Sequence, residues 1–269
     1  MSIDQLRRKL TLEQKVRLLT GADWWKLPPE PAIGLRAVVL SDGPVGVRGT
    51  VHDETDTSAN LPSATAIAAT WDLALVERLA HLLAAEARRK GVDVVLGPTV
   101  NLHRSPLGGR HFECYSEDPL LTARLGTVYV RALQARGVGA TPKHYVCNDS
   151  ETERLTVDVT VDERTLREVY LRPFEDMVGE GGAWVVMAAY NSVNGTTMTE
   201  HPLLAEPLKG EWGFDGVVVS DWFAARDTVA AGVAALDLVM PSEDSPWGDA
   251  LVAAVRDGAV PESAVDEKV

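Results

Sequence analysis

Gly216-Val217-Val218-Val219-Ser220-Asp221-Trp222 places three β-branched residues in a row, then an acid and an indole. Such a run reads as a strand buried on both faces, as in a parallel sheet. An unpaired carboxylate in a core costs several kcal/mol or takes up a proton. Asp221 is therefore expected where the strand emerges into a pocket, and in a parallel barrel catalysis sits at the C-terminal strand ends. A bland alternative stays open: a lone acid after a strand is also what a helix N-cap looks like, here for a helix starting at Phe223.

Other apolar runs repeat the pattern. Ala37 to Leu40, Val92 to Leu96, Val138 to Tyr145, Trp184 to Ala189 and Leu236 to Met240 read as strands. Thr156 to Val161 alternates polar and apolar, as a half-exposed strand does. Between them lie helical patterns. Thr11 is placed to cap Leu12 onward, within a helical stretch over about residues 2–20. Asp72 caps a helix from Leu73 to Lys90 that Gly91 ends, and Pro119 opens one running to about Arg136. Asp162 caps Glu163 to about Val178, and Pro202 to Trp212, an Ala-rich stretch after Trp222, and Trp247 to Arg256 complete the set. Residues after Gly258 look like the start of another helix.

Strands alternating with amphipathic helices argue a parallel α/β sheet. Over 269 residues the candidates are a TIM-type (β/α)8 barrel, regular or slightly irregular, and an open doubly wound sheet. The open sheet usually carries a glycine-rich phosphate loop after an early strand; Gly137-Val138-Gly139 instead starts a strand, so the barrel is favoured, as one domain over 1–269.

The net charge of -13 argues against nucleic acid and against an anionic membrane surface. Cys114 and Cys147 are too few for a disulfide framework or thiolate metal cage. Met1 to Lys9 holds no apolar run for a signal peptide, and no uncharged apolar stretch suits a bilayer span, so a cytoplasmic protein is expected. Asn148-Asp149-Ser150 and Asn194-Gly195-Thr196 match the glycosylation sequon and are read as loop residues.

Polar residues follow the strands at once: Asp42, Lys143, His144, Asn191 and Asp221, with Arg110 in the long loop after the Val92 strand. In a barrel they converge on one rim. A carboxylate, a further acid, cations, a histidine and aromatics suit a neutral polyhydroxylated ligand. Sugar hydroxyls donate to carboxylates and accept from Lys or Arg, and an indole covers the apolar ring face. His52, His81 and His201 lack such a setting and are read as structural. No metal or organic cofactor is implied.

Five motifs come in a recognisable order: Ser41-Asp42-Gly43-Pro44 with Gly46-Val47-Arg48; Gly109-Arg110-His111-Phe112-Glu113 with Tyr115-Ser116-Glu117-Asp118-Pro119; Lys143-His144; Tyr190-Asn191; Ser220-Asp221-Trp222. Together they resemble glycoside hydrolase family 3, of the bacterial β-glucosidase type. The resemblance implies a retaining, exo-acting β-glycosidase acting on β-linked oligosaccharides or glycosides. By it, Asp221 is the nucleophile; Asp42, Arg110, Lys143 and His144 bind sugar hydroxyls; Met187 and Tyr190 flank the nucleophile; and Trp222 lines the pocket. It also implies an acid/base glutamate in a domain C-terminal to the barrel, expected to lie outside this chain. The family's shorter N-acetylglucosaminidase branch uses a histidine in a Gly-His-Gly loop, whereas here the loop reads Tyr145-Val146-Cys147-Asn148-Asp149-Ser150-Glu151. Glu113 and Glu151 are the nearby carboxylates to weigh as substitutes, with a Glu151–Arg154 brace as the simpler reading. A non-hydrolysing carbohydrate-binding barrel and a β-xylosidase or N-acetylglucosaminidase of the same family are the rival functions.

Overall fold

A computed structural model describes residues 2–51 and 54–269. The reading of His52 falls outside them. The strands are β1 (Lys26–Leu27), β2 (Val38–Asp42), β3 (Val94–Leu96), β4 (Gly139–Ala140), β5 (Lys143–Tyr145), β6 (Asp158–Val159), β7 (Val185–Ala188), β8 (Ser192–Val193), β9 (Thr196–Thr197) and β10 (Val217–Ser220).

Their pairing runs in a circuit. β1 is antiparallel to β2, and β2, β3 and β4 follow in parallel. Thr99, just past β3, bridges to Lys143. β5, β7 and β10 continue in parallel, with Ser220 opposite Ala188 and Met187 opposite Lys143. Val219 then bridges to Leu238, and Val239 to Thr20, whose chain turns into β1 through the 2.7 Å bond from Ala22 N–H to the Lys26 carbonyl. The result is an irregular (β/α) barrel with one antiparallel stave.

Side chains explain the two-faced burial. Val185, Met187 and Val219 pack inside with Leu40, Leu96, Trp222, Leu238 and Met240. Their neighbours Val186, Ala188 and Val218 face outward into the larger core. There they meet the apolar faces of the helices Leu73–Arg89, Pro119–Gln134 and Arg172–Gly179, through Leu83, Leu125 and Phe174 among others. Alternation along a strand thus fills both layers. The entry to β10 needs glycine, because a Cβ at Gly216 would sit 2.3 Å from the Trp184 carbonyl oxygen.

Thr11, Asp72 and Asp162 cap their helices as expected, each accepting from the first turn, and Asp118 caps the helix that Pro119 opens. Several elements depart from it. The Val138–Tyr145 run splits into β4 and β5 at Pro142, which has no N–H to give. The Thr156–Val161 strand shrinks to β6 and joins β8 and β9 in a small separate sheet. Leu236–Met240 makes bridges but no ladder, since the Asp237 and Leu238 N–H groups both bond to the Val218 carbonyl. The helix after Asp162 is interrupted by a wide turn at Leu166–Tyr170, ahead of Pro173. Pro202–Trp212 is broken at Glu206 (φ −132°, ψ 123°), which the following Pro207 drives out of the helical region. The stretch at residues 2–20 is two short helices, Ile3–Arg7 and Leu12–Leu18. After Trp222 the chain stays irregular until Asp227 caps Thr228–Val233.

At the strand-entry end, Asp237 is buried and accepts from the Val218 N–H and from Lys209 Nζ at 2.5 Å. Removing one member of such a pair leaves a buried charge. Lys209→Met is expected to cost about 3 kcal/mol in urea unfolding while leaving ligand binding at the far rim unchanged in the folded protein.

Candidate active site

The C-terminal strand ends open into a cavity of about 560 Å³, within the range of small-molecule sites. Eight residues singled out for a site role line it: Asp42, Arg110, Lys143, His144, Met187, Tyr190, Asp221 and Trp222. The parallel registers bring them together, since β2, β5, β7 and β10 all end on this rim. Lys143 and His144 are adjacent in a strand, where side chains should point to opposite faces. A bulge between Lys143 and Tyr145 shifts the register, and both reach the cavity. Asn191 does not line it. It is fully buried, and its Nδ2 donates to the Val146 carbonyl at 3.1 Å, bracing the loop behind the rim.

Lys143 Nζ lies 2.8 Å from Asp42 Oδ1, and Arg48 approaches Oδ2 at 3.6 Å. Burial pushes the Asp42 carboxyl up; Lys143, the Gly43 N–H and Arg48 outweigh it and hold it below its ordinary value. Arg110 donates to Glu113 Oε1 at 2.7 Å, and Glu151 Oε1 lies 3.6 Å away. Glu151 also pairs with Arg154 at 3.0 Å, the brace expected of it, and Glu113 accepts from Thr99 at 3.0 Å. Arg154 in turn stacks over the Tyr190 ring at 5.0 Å.

Asp221 lies 8% exposed at the end of β10. It caps no helix: its Oδ1 accepts from the Trp222 N–H at 2.8 Å, and a tight turn follows. His144 Nε2 stands 3.5 Å from Oδ2. Burial raises its pKa above the ordinary aspartate value; Lys143, the Trp222 N–H, Arg110 and Tyr190 pull it back without cancelling the rise. The folded protein therefore holds this proton more tightly than the unfolded chain, and loses stability as pH rises through the raised value. Asp221→Asn is expected to raise Tm at pH 7 and leave it unchanged near about pH 3, where both states carry the proton, as read by calorimetry.

Trp222 donates its ring N–H to the Trp24 carbonyl at 3.0 Å and packs its ring 5.4 Å from Trp25. Trp24 meets Phe223 edge to face at 5.3 Å. Trp24, Trp25, Arg48, Leu96 and Arg154 line the cavity without having been given a site role from the sequence. The adjacent indoles of Trp24-Trp25, in a turn-rich stretch before Pro28, were the available signal.

The remaining sequence features are structural. Cys114 and Cys147 are buried and free. Asn148 is buried, and Asn194 Oδ1 and Nδ2 bond both backbone groups of Val161. His81 is half-buried on the helix Leu73–Arg89, and His201 bonds the Val193 carbonyl. Among the described residues no cluster suits a metal ion, and no helix is long and apolar enough to cross a membrane.

The chain is similar to known proteins. The chain is 50% identical over 263 residues to a beta-glucosidase of Rhizobium radiobacter, covering 96% of this chain and 32% of that protein. It is 41% identical to the thermostable beta-glucosidase B of Acetivibrio thermocellus, covering all of this chain and 37% of that one. Beta-glucosidase 3B from Thermotoga neapolitana, solved with glucose, superimposes with a TM-score of 0.93 at 38% identity, over 98% of this chain and 41% of that one. The Kluyveromyces marxianus beta-glucosidase, also solved with glucose, gives 0.96 at 38% identity, over 100% and 33%. The chain thus spans about a third of the length of the curated relatives it matches. Residues 26–269 match the glycosyl hydrolase family 3 N terminal domain, and the chain belongs to that family.

Proposed function

We propose that this chain is the catalytic barrel of a retaining, exo-acting β-glucosidase. One observation carries the reading: a buried aspartate, Asp221, at a strand end, surrounded in one cavity by Asp42, Arg110, Lys143, His144, Tyr190 and Trp222. In the proposed reaction an Asp221 oxygen attacks the anomeric carbon of a terminal β-linked sugar, and the bond to the leaving oxygen breaks. The leaving oxygen takes a proton from a general acid, and water then releases the sugar from Asp221. Asp42, Lys143, Arg110 and His144 hold the sugar hydroxyls, and Trp222 covers the ring's apolar face. Contacts that tighten as the ring flattens toward the oxocarbenium ion contribute to rate as well as to binding.

The general acid is proposed to come from residues outside this chain. The carboxylates at or near the cavity are already engaged: Asp42 with Lys143, Glu113 with Arg110, Glu151 with Arg154. The relatives' greater length and their names support the reading. A panel of aryl β-glucosides, β-xylosides and N-acetyl-β-glucosaminides tests it. The glucoside is expected to be turned over fastest, and faster turnover of either other sugar would overturn the assignment of glucose.

A further inference from the structure

His144 touches Asp221 and Arg110, yet its role turns on which ring nitrogen carries the proton. That is settled by a residue outside the cavity. Asn101 lies in the loop after β3, 4% exposed. Its Nδ2 donates to the His144 carbonyl oxygen at 2.9 Å, and its Oδ1 accepts from the His144 N–H at 2.9 Å. A backbone N–H only donates and a carbonyl only accepts, so these two bonds fix which way the Asn101 amide faces. The same Oδ1 lies 3.0 Å from His144 Nδ1. An amide oxygen cannot donate, so Nδ1 must bear the hydrogen.

On the cavity side of the ring stand Arg110 Nη2 at 3.5 Å and Asp221 Oδ2 at 3.5 Å from Nε2. Burial, with Arg110, Lys143 and Arg154 around the ring, drives the His144 pKa well below its ordinary value, so the ring is neutral. A neutral ring with hydrogen on Nδ1 has a lone pair on Nε2. The contact with Asp221 is then no ion pair but two acceptors side by side, with Arg110 only at the limit of hydrogen-bond reach. Resting on the glycosidase reading for the identity of its ligand, this geometry says what the site lacks: a donor placed between Nε2 and Oδ2.

We infer that Asn101 is the positioning residue that fixes the Nδ1–H form of His144, so that Nε2 reads one sugar hydroxyl strictly as a hydrogen-bond donor. That hydroxyl gives its hydrogen to Nε2 and accepts from Arg110 with its oxygen. A group that accepts but cannot donate fails there, however well it fits.

Nitrogen NMR of this chain labelled in its histidine rings tests the first half. The His144 signals are assigned by their loss in His144→Gln. The expected spectrum at pH 7 shows Nε2 unprotonated and Nδ1 protonated; the reverse, or protons on both, overturns the inference. In Asn101→Ala the two forms are expected to mix, whereas Asn101→Asp, which still offers an acceptor to Nδ1, keeps the Nδ1–H form. Retention of a single Nδ1–H form in Asn101→Ala would remove Asn101 from the assignment. Should that variant not fold, the wild-type spectrum and Asn101→Asp decide. Asn101→Ala is also expected to lower kcat/KM about 10–100-fold, the loss usual when the residue orienting a functional histidine is removed.

Binding of monodeoxy and deoxyfluoro glucosides tests the second half. At one ring position fluorine, which accepts only, is expected to weaken binding as much as hydrogen does, about 10–100-fold. Fluorine restoring affinity at every position would overturn the donor reading. If no glucoside binds while the NMR result stands, the glycosidase reading and the hydroxyl assignment fall and the tautomer assignment survives.

Discussion

Asp221→Asn is expected to lower turnover of aryl β-glucosides by at least about 10⁴-fold while sparing ligand binding, because it removes the group proposed to form the covalent bond. The amide keeps the size of the carboxylate and an oxygen for the 2.8 Å bond from the Trp222 N–H. The shape of the cavity therefore persists, and the loss falls on chemistry. Incubation with a 2-deoxy-2-fluoro glucoside, followed by digestion and mass spectrometry, is expected to find the sugar on Asp221. A label on another residue would overturn the assignment. A non-hydrolysing carbohydrate barrel makes the opposite prediction, with no label at all and an Asp221→Asn variant that loses nothing. The acidic limb of the rate profile should also lie above the ordinary aspartate value. Asp221 is charged only above its burial-raised pKa, so the proposed nucleophile is lost early as pH falls.

The second large effect concerns the leaving group. Residues 1–269 alone are expected to hydrolyse cellobiose about 10²–10⁴-fold more slowly than a dinitrophenyl glucoside, whose departing oxygen needs no proton. The reason lies in how the carboxylates are spent. Glu113 is bonded to Arg110 and Thr99, and Glu151 to Arg154, so both serve to aim cations at the cavity. A general acid must instead carry a proton within reach of the glycosidic oxygen. Rapid cellobiose hydrolysis by this chain alone would show that one of the residues described here does that work.

The site was legible where strands end. Buried parallel strands cannot hold unpaired charge, so Asp42, Lys143, His144 and Asp221 stand out just after apolar runs. The same rule misassigned Asn191, whose Nδ2 donates to the Val146 and Ser192 carbonyls instead of facing the cavity. Arg48, Arg154, Trp24 and Trp25 arrive from loops, whose paths no periodicity encodes. Asn101 was silent for a different reason: its partner His144 is 43 residues away and fixed only by the fold. For the barrel, the alternation of strands and helices gave the layers. The breaks at Pro142, Pro173 and Pro207 were visible as prolines, but whether each ends, kinks or widens an element depends on its packing.

The circuit of strands closes where Val239 meets Thr20, by a bridge between the two ends of the chain. During synthesis the Thr20 segment emerges long before its neighbour exists. Until residues 238–240 are made, the β1–β2–β3–β4 and β5–β7–β10 staves lack the neighbour that closes the circuit, which leaves bare edges able to pair with other chains. Closing a loop of nearly the whole chain carries its entropy cost before the contact rewards it. The seam is therefore the last part of the barrel to form and the first to part. In hydrogen exchange, the Gly21 and Val239 amides, which bond across it, should lose protection ahead of those between β7 and β10.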